Sequence, residues 1–192
     1  MLLNQAMTRV KETTVEDIRR VYLQHGSGLR QALARLAPEL DADDLVQEVF
    51  LIALNKTAEF AKADPPHAWL YGIAVKLAHT RRRTARLRRF FGLREAENVA
   101  VVDSPSRTVE QRDAQTRVNR ALESLSAAKR EVFVLFELQG LPGEDIAAAL
   151  QIPLKTVWTR LFHARKAMVA AIERELVAEA RTSGLSRDEV EP

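Results

Sequence analysis

The chain contains no cysteine in its 192 residues, which excludes a disulfide framework, a thiolate zinc site and a cysteine nucleophile together. Glycine and proline number only seven each and aromatics make up 6%, too few for the turn-rich strands of a β-sandwich or barrel. No apolar run approaches the roughly 18–20 residues of a membrane-crossing helix, and the N-terminus has no signal-peptide pattern. What remains is rich in Ala, Leu, Glu and Arg, all strong helix formers. An apolar share of 46% is enough to fill a core. The expectation is an all-α, soluble, cytoplasmic protein with no membrane insertion, large enough for two small domains.

Charge is unevenly placed. The net value is only +3, yet Lys76, Arg81, Arg82, Arg83, Arg86, Arg88, Arg89 and Arg94 fall within residues 76–94 with no Asp or Glu among them. The rest of the chain is net acidic. A solvated helix face gains from alternating signs at i,i+4. Here like charges crowd together and repel until an anion neutralises them, which favours nucleic acid over a plain solvated face.

Periodicity predicts the helices. Residues 14–37 carry Val15, Ile18, Val21 and Tyr22, then Leu29, Leu33 and Leu36, and read as a helix pair around His25-Gly26-Ser27-Gly28. Pro38 ends that stretch. Asp41 is placed to N-cap the next helix, with Asp43 and Asp44 in its dipole-favoured first turn. Leu45, Val46, Val49, Phe50, Ile52 and Ala53 continue its apolar face to about Thr57. After a loop over residues 61–66, Trp69, Ile73 and Leu77 form a stripe running into the arginine block. One long helix is predicted there, buried in front and charged behind. Its place on the stripe makes Trp69 a core residue rather than a stacking platform. Periodicity then lapses, and Asp103-Ser104-Pro105-Ser106 marks a linker.

Beyond the linker, Val118, Leu122 and Leu125 outline one helix, and Ser126 is placed to cap another that Gly140 terminates. Two pieces, Glu144 to Leu150 and Leu154 to about Leu176, flank Gln151-Ile152-Pro153 in the manner of a helix-turn-helix. Val157, Leu161, Ala164 and Met168 share the packing face of the second piece. Lys155, Thr156, Trp158, Thr159, Phe162, His163, Arg165 and Lys166 are left for solvent or DNA. A Trp and a Phe outside a core call for a DNA groove or a protein surface. The organisation is thus two small helical domains joined by a flexible linker. Residues 1–91 form the first, 92–110 the linker, 111–176 the second and 177–192 a tail, frayed or regulatory.

These residues resemble a known family. Asp41-Ala-Asp-Asp-Leu-Val-Gln-Glu-Val-Phe-Leu51, with Ala68-Trp-Leu-Tyr-Gly-Ile-Ala74 and its Arg-rich continuation, is similar to domain two of an extracytoplasmic-function (ECF) sigma factor. Leu122-Glu-Ser-Leu125, Lys129 to Phe133, Gly140-Leu141, Glu144 to Ala147, Ile152-Pro153, Thr156-Val157, Arg160-Leu161 and Ala164-Arg165-Lys166 look like domain four.

The resemblance implies a transcription initiation subunit that binds core RNA polymerase and promoter DNA, with neither cofactor, metal nor catalytic residues of its own. Asp44, Leu45, Gln47 and Glu48 would dock on the polymerase, although the acids alone also suit a helix N-terminus. Phe60 and Lys62 in a loop, with Lys76, Arg81, Arg82, Arg83, Arg86 and Arg89, would engage and melt the −10 element. Lys155, Thr156, Trp158, Thr159, Arg160, Phe162, His163 and Arg165 would meet the −35 element. Trp158, Thr159, Phe162 and His163 would read bases, while Lys155, Arg160 and Arg165 suit phosphate. The family also implies an anti-sigma partner.

Three departures stand out. Lys76 stands where the family usually has Asn, Trp158 and His163 where it is often basic, and Pro142-Gly143 where a Ser cap usually begins a helix.

Rival readings explain less. A helix-turn-helix regulator acting without polymerase leaves the arginine block and the Asp41 helix idle. A decoy for an anti-sigma factor has no need of its basic residues. Catalysis lacks a constellation: His25, His67, His79 and His163 are scattered, and no Gly-rich phosphate loop is present.

Overall fold

The computed structural model describes residues 2–91 and 109–188. In that span every regular element is a helix. In the first half α1 runs Leu2–Leu36, α2 Ala42–Asn55, α3 Thr57–Phe60 and α4 Pro66–Phe90. In the second, α5 runs Val109–Ser124, α6 Ala127–Phe133, α7 Gly143–Leu150 and α8 Leu154–Asp188, with a π-helical turn at Val134–Leu138 after α6. The expected linker over 92–110 lies outside the described residues except for its last two, which open α5.

Local signals set most boundaries. The Asp41 carboxylate accepts from the amides of Asp43 at 2.8 Å and Asp44 at 3.1 Å, satisfying two of the four free donors of α2. Pro66 opens α4 at a position where a missing amide proton costs nothing. Gly140, at φ +68°, closes the π-helical turn, and Gln151 turns left-handed at φ 55° to end α7. Ser126 stands at the start of α6 without lending its hydroxyl to a cap bond. The free carbonyls closing α5, a separate set of groups, are met by Arg130, whose guanidinium donates to Leu122 and Glu123 at 2.8 and 2.9 Å.

One expectation needs correction. Residues 14–37 are not a helix pair: α1 passes unbroken through Gly26 and Gly28. Glycine in a helix costs about 1 kcal/mol relative to alanine, and tertiary packing outweighs that here. A Cβ at Gly28 would lie 2.6 Å from the Tyr71 hydroxyl, so the absent side chain is what lets α4 approach.

In the first half α1, α2 and α4 pack around Leu29, Leu33, Val49 and Leu70; in the second α6, α7 and α8 pack around Leu135, Ile146, Val157 and Leu161. The four residues predicted to form the packing face of α8, Val157, Leu161, Ala164 and Met168, are all buried. The halves do not stand apart. α4 lies against α7, and a Cβ at Gly72 would sit 2.5 Å from the Ala149 carbonyl oxygen. His67 Nε2 meets Asp145 Oδ2 at 2.7 Å, Lys76 Nζ donates to Gln151 Oε1 at 3.1 Å, and His79 pairs with the buried Glu131. Thus α4 is covered on two sides, by α1 and α2 and by the helix-turn-helix.

Candidate nucleic-acid interface

Three surfaces carry the residues singled out by sequence. The first is the outer face of α2. Asp44 and Gln47 are exposed there, and Glu48 is half-buried with its carboxylate held by Arg81 at 3.0 and 2.5 Å. Leu45 does not belong to this face. It is buried because it lies a quarter-turn away, on the stripe with Val46 and Val49 that packs on α1 and α4. Leu51 and Leu54, at i+4 and i+7 from Gln47, take its place, 59% and 43% exposed. That spacing was readable in the sequence, although the sequence reading placed neither leucine on the docking face. An exposed apolar pair ringed by carboxylates and an amide suits a protein partner with basic and apolar groups.

The second surface is the charged back half of α4. Arg83, Arg86 and Arg89 are exposed, beside the bare rings of Phe90 and Phe91. Arg81 and Arg82 are not free cations. Arg82 Nε donates to Glu39 at 2.8 Å and its Nη1 to the Leu36 carbonyl at 3.0 Å. The block is therefore partly neutralised from within: acids distant in sequence, Glu39 and Glu48, come to it in the fold. Arg94 lies outside the described residues.

Phe60, expected at the −10 element, is likewise corrected. It is 3% exposed, driven inward where α3 closes over the first domain and packed edge-on to Trp69 at 5.9 Å. Trp69 itself is half-buried against the core. Lys62, two residues on, stays exposed, whereas Lys76 is exposed but tied to Gln151.

The third surface is the outer face of α8. Lys155, Thr159, Phe162, His163 and Lys166 are exposed on it. Thr156 and Arg160 are half-buried, and Arg165 is held by Glu137 at 2.5 Å while its guanidinium lies over Phe136. Trp158 is 44% exposed on the same face. Its indole lies back along the protein, edge-on to Phe136 at 5.5 Å. A Cβ at Gly143 would stand 2.6 Å from it. Two departures from the family pattern are thus one feature: the glycine at the start of α7 makes the space that the tryptophan fills.

Buried charge ties the surfaces to the fold. Burial pushes the Glu131 carboxyl above the usual range, and His79, Arg160 and Arg130 oppose that push. Burial also pulls the Arg130 guanidinium down, with the nearby Arg82 charge acting the same way. The His25 ring, stacked on His67 at 4.9 Å, is lowered by burial and then by its neighbour. Among the described residues no group of three His, Asp or Glu side chains could hold a metal ion.

Comparison with known proteins decides what these surfaces belong to. Residues 21–88 match the family model for Sigma-70 region 2, and residues 115–168 that for Sigma-70 region 4. The RNA polymerase sigma factor CnrH of Cupriavidus metallidurans is 31% identical over 164 residues, 79% of this chain and 84% of the relative. The chain belongs to the ECF sigma factors of the sigma-70 family. It is a transcription initiation factor and not an enzyme.

The ECF sigma-E factor of Escherichia coli is 33% identical over 146 residues, covering 71% of this chain and 76% of that protein. Two solved structures share the fold of this sigma factor. CnrH in complex with the cytosolic domain of CnrY matches with TM-score 0.60 and 25% identity, over 86% of this chain and 96% of that one. The sigma factor RpoE in complex with the anti-sigma factor NepR from Bartonella quintana matches with TM-score 0.67 and 26% identity, over 82% and 98%. Among the described residues no helix is long and apolar enough to cross a membrane.

Proposed function

We propose that this sigma factor joins core RNA polymerase in the cytoplasm and directs it to promoters through two DNA contacts, one from each half of the chain. The observation that carries the reading is the presence in one polypeptide of three separate surfaces: a mixed apolar and acidic face on α2, a cationic end on α4, and a bare helix-turn-helix face on α8. A regulator that binds DNA alone has no use for the first two.

The roles divide by chemistry. Asp44, Gln47, Leu51 and Leu54 dock on the polymerase. Arg83, Arg86 and Arg89, with Lys62, hold phosphates at the −10 element, where melting draws on binding energy because the protein has no fuel. Lys155, Thr159, Phe162 and His163 enter the major groove at the −35 element. The stripe Gly72, Lys76 and His79 on α4 faces the second half of the chain. Parting of α4 from the second half would release Lys76 and His79 as well. An anti-sigma partner, as RpoE has in its complex with NepR, acts by holding the halves together or by covering these faces.

Run-off transcription with purified core polymerase on a randomised promoter library tests the reading. Discrete start sites sharing two sequence blocks at a fixed separation are expected. Transcripts that never rise above core polymerase alone would defeat it.

A further inference from the structure

The chain has four histidines, and the fold brings two of them to one junction. His67 and His79 both belong to α4, and both meet a carboxylate of the second half. His67 Nε2 lies 2.7 Å from Asp145 Oδ2 of α7, and His79 pairs with Glu131 of α6. Between them Gly72 brings the α4 backbone against the Ala149 carbonyl, and Lys76 donates to Gln151. The other two histidines lie elsewhere, His25 on α1 stacked against His67 and His163 on the outer face of α8. Histidine is the side chain whose charge ordinarily changes between pH 5 and 8. A junction held by histidine and carboxylate in two places therefore follows the proton.

Both pairs act with the same sign. Asp145 sits in the first turn of α7, where the helix dipole favours its negative charge. A charged His67 forms an ion pair there, whereas a neutral ring offers only a hydrogen bond. The two side chains are 26% and 17% exposed, so solvent screens them only in part. Glu131 is 8% exposed, and burial pushes its carboxyl above the usual range. His79 leads the opposing charges, followed by Arg160 of α8 and Arg130 of α6. Those two arginines stay with Glu131 in the second half. From α4 come His79 and Arg82, the latter near Arg130 and held by Glu39. Arginine keeps its charge throughout this range, so the proton at His79 is what varies. His25 shares the first half with His67, so its repulsion acts in the closed and the parted forms alike. Whether a proton rests on a ring or on the Glu131 carboxyl, the closed junction holds it more firmly than the parted one. Closure is then strengthened as pH falls and lost as pH rises.

We propose that the junction between α4 and the second half is a proton-operated latch. Protons at His67–Asp145 and His79–Glu131 hold the two halves together, and their loss lets α4 part from α6 and α7. The latch is a property of the free chain and does not depend on the promoter-binding role proposed above. Its bearing on that role is that Lys76 and His79 are engaged with the second half when the latch is shut and free when it opens.

The experiment uses the full chain. With no native cysteine, Asn55→Cys and Ala170→Cys, both exposed and one in each half, carry a donor and an acceptor dye. Energy transfer is followed from pH 6 to pH 8 at constant ionic strength. The ratio of closed to parted molecules should fall about tenfold across that range, and about threefold in His67→Gln or His79→Gln. Glutamine keeps hydrogen-bonding reach but takes up no proton, so the double variant should show a constant ratio. His163→Gln should respond as the wild type does. Circular dichroism identifies any variant that fails to fold, and if the double variant does, the two single variants carry the test. Constant transfer in the wild type overturns the proposal, as does parting of the halves while pH falls. A full response in the double variant overturns it as well, because the proton then acts elsewhere.

Discussion

Gly72 of α4 faces the Ala149 carbonyl of α7 with no room for a methyl group: a Cβ there would lie 2.5 Å from the oxygen. The obstacle is backbone, so no side chain can rotate out of the way. Gly72→Ala should therefore push the two halves apart. In the helix itself the change is favourable, by about 1 kcal/mol of intrinsic propensity. Small-angle scattering should show a larger radius of gyration with unchanged helix content. Gly26→Ala is the control, because a Cβ there meets only the Tyr22 ring at 3.6 Å, an ordinary contact. A Gly72→Ala protein as compact as wild type would show that α4 and α7 do not hold the halves together in solution.

The two kinds of leucine on α2 should separate cleanly. Leu45→Ala removes a buried side chain and should cost about 2–5 kcal/mol of stability. Leu51→Glu alters an exposed position and should leave the melting temperature within a few degrees of wild type. Core polymerase capture should fall at least tenfold for Leu51→Glu, with a similar loss for Leu54→Glu. If both exposed variants bind polymerase normally, the α2 face has another partner.

Leu45 and Leu51 also show what could be read from sequence and what could not. Signals that act within one or two turns were legible: the Asp41 cap, the Gly140 stop, and the Val157, Leu161, Ala164 and Met168 face all follow from spacing and backbone chemistry. So was the family, because its motifs are strings of adjacent residues. Contacts between distant segments were not legible. Nothing near Phe60 indicates that α3 folds it inward onto Trp69, and nothing near Arg82 indicates that Glu39 arrives from 43 residues away. Gly26 and Gly28 misled for the same reason: glycine was taken as a break when Gly28 serves a close approach by Tyr71.

The arginines of α4 should divide by partner. Arg83→Ala with Arg86→Ala removes two exposed cations and should lower the logarithmic salt slope of promoter binding by about two, equally on all sequences. Arg82→Ala instead breaks half-buried bonds to Glu39 and the Leu36 carbonyl, so its main effect should be on thermal stability. Titrations from low to moderate salt, with melting curves for each variant, check both. An unchanged slope in the double variant would remove Arg83 and Arg86 from phosphate.

His25 gives the fold a pH dependence of predictable sign. Burial first, and the neighbouring His67 second, hold its ring below the ordinary histidine value of 6.5. The unfolded chain therefore takes up the proton at higher pH than the folded one, and stability is lost as pH falls through 6.5 and below. The contribution is fully present above that value. His25→Gln, which cannot be protonated, should lose less melting temperature than wild type between neutral and mildly acidic buffer. Equal losses in the two proteins would show that the stacked pair does not drive the dependence.

Trp158 and Gly143 should behave as one unit. Gly143→Ala places a methyl 2.6 Å from the indole, so the ring must leave its place against Phe136. Trp158→Ala empties the same notch and removes the ring's contact with Phe136. Once the indole is gone, the added methyl meets only Leu154 Cδ1 at 3.2 Å, the end of a flexible side chain that can yield by a few tenths of an ångström. The two changes should then be strongly non-additive: the double variant should be no less stable than Trp158→Ala alone, with a coupling of about 0.5–3 kcal/mol. Denaturant unfolding of the four proteins measures it. Trp158→Phe, which keeps an aromatic ring with less bulk near Gly143, should restore part of the stability lost in Trp158→Ala. Additive costs would mean that the glycine and the tryptophan are not coupled, and that the indole does not depend on the notch at Gly143.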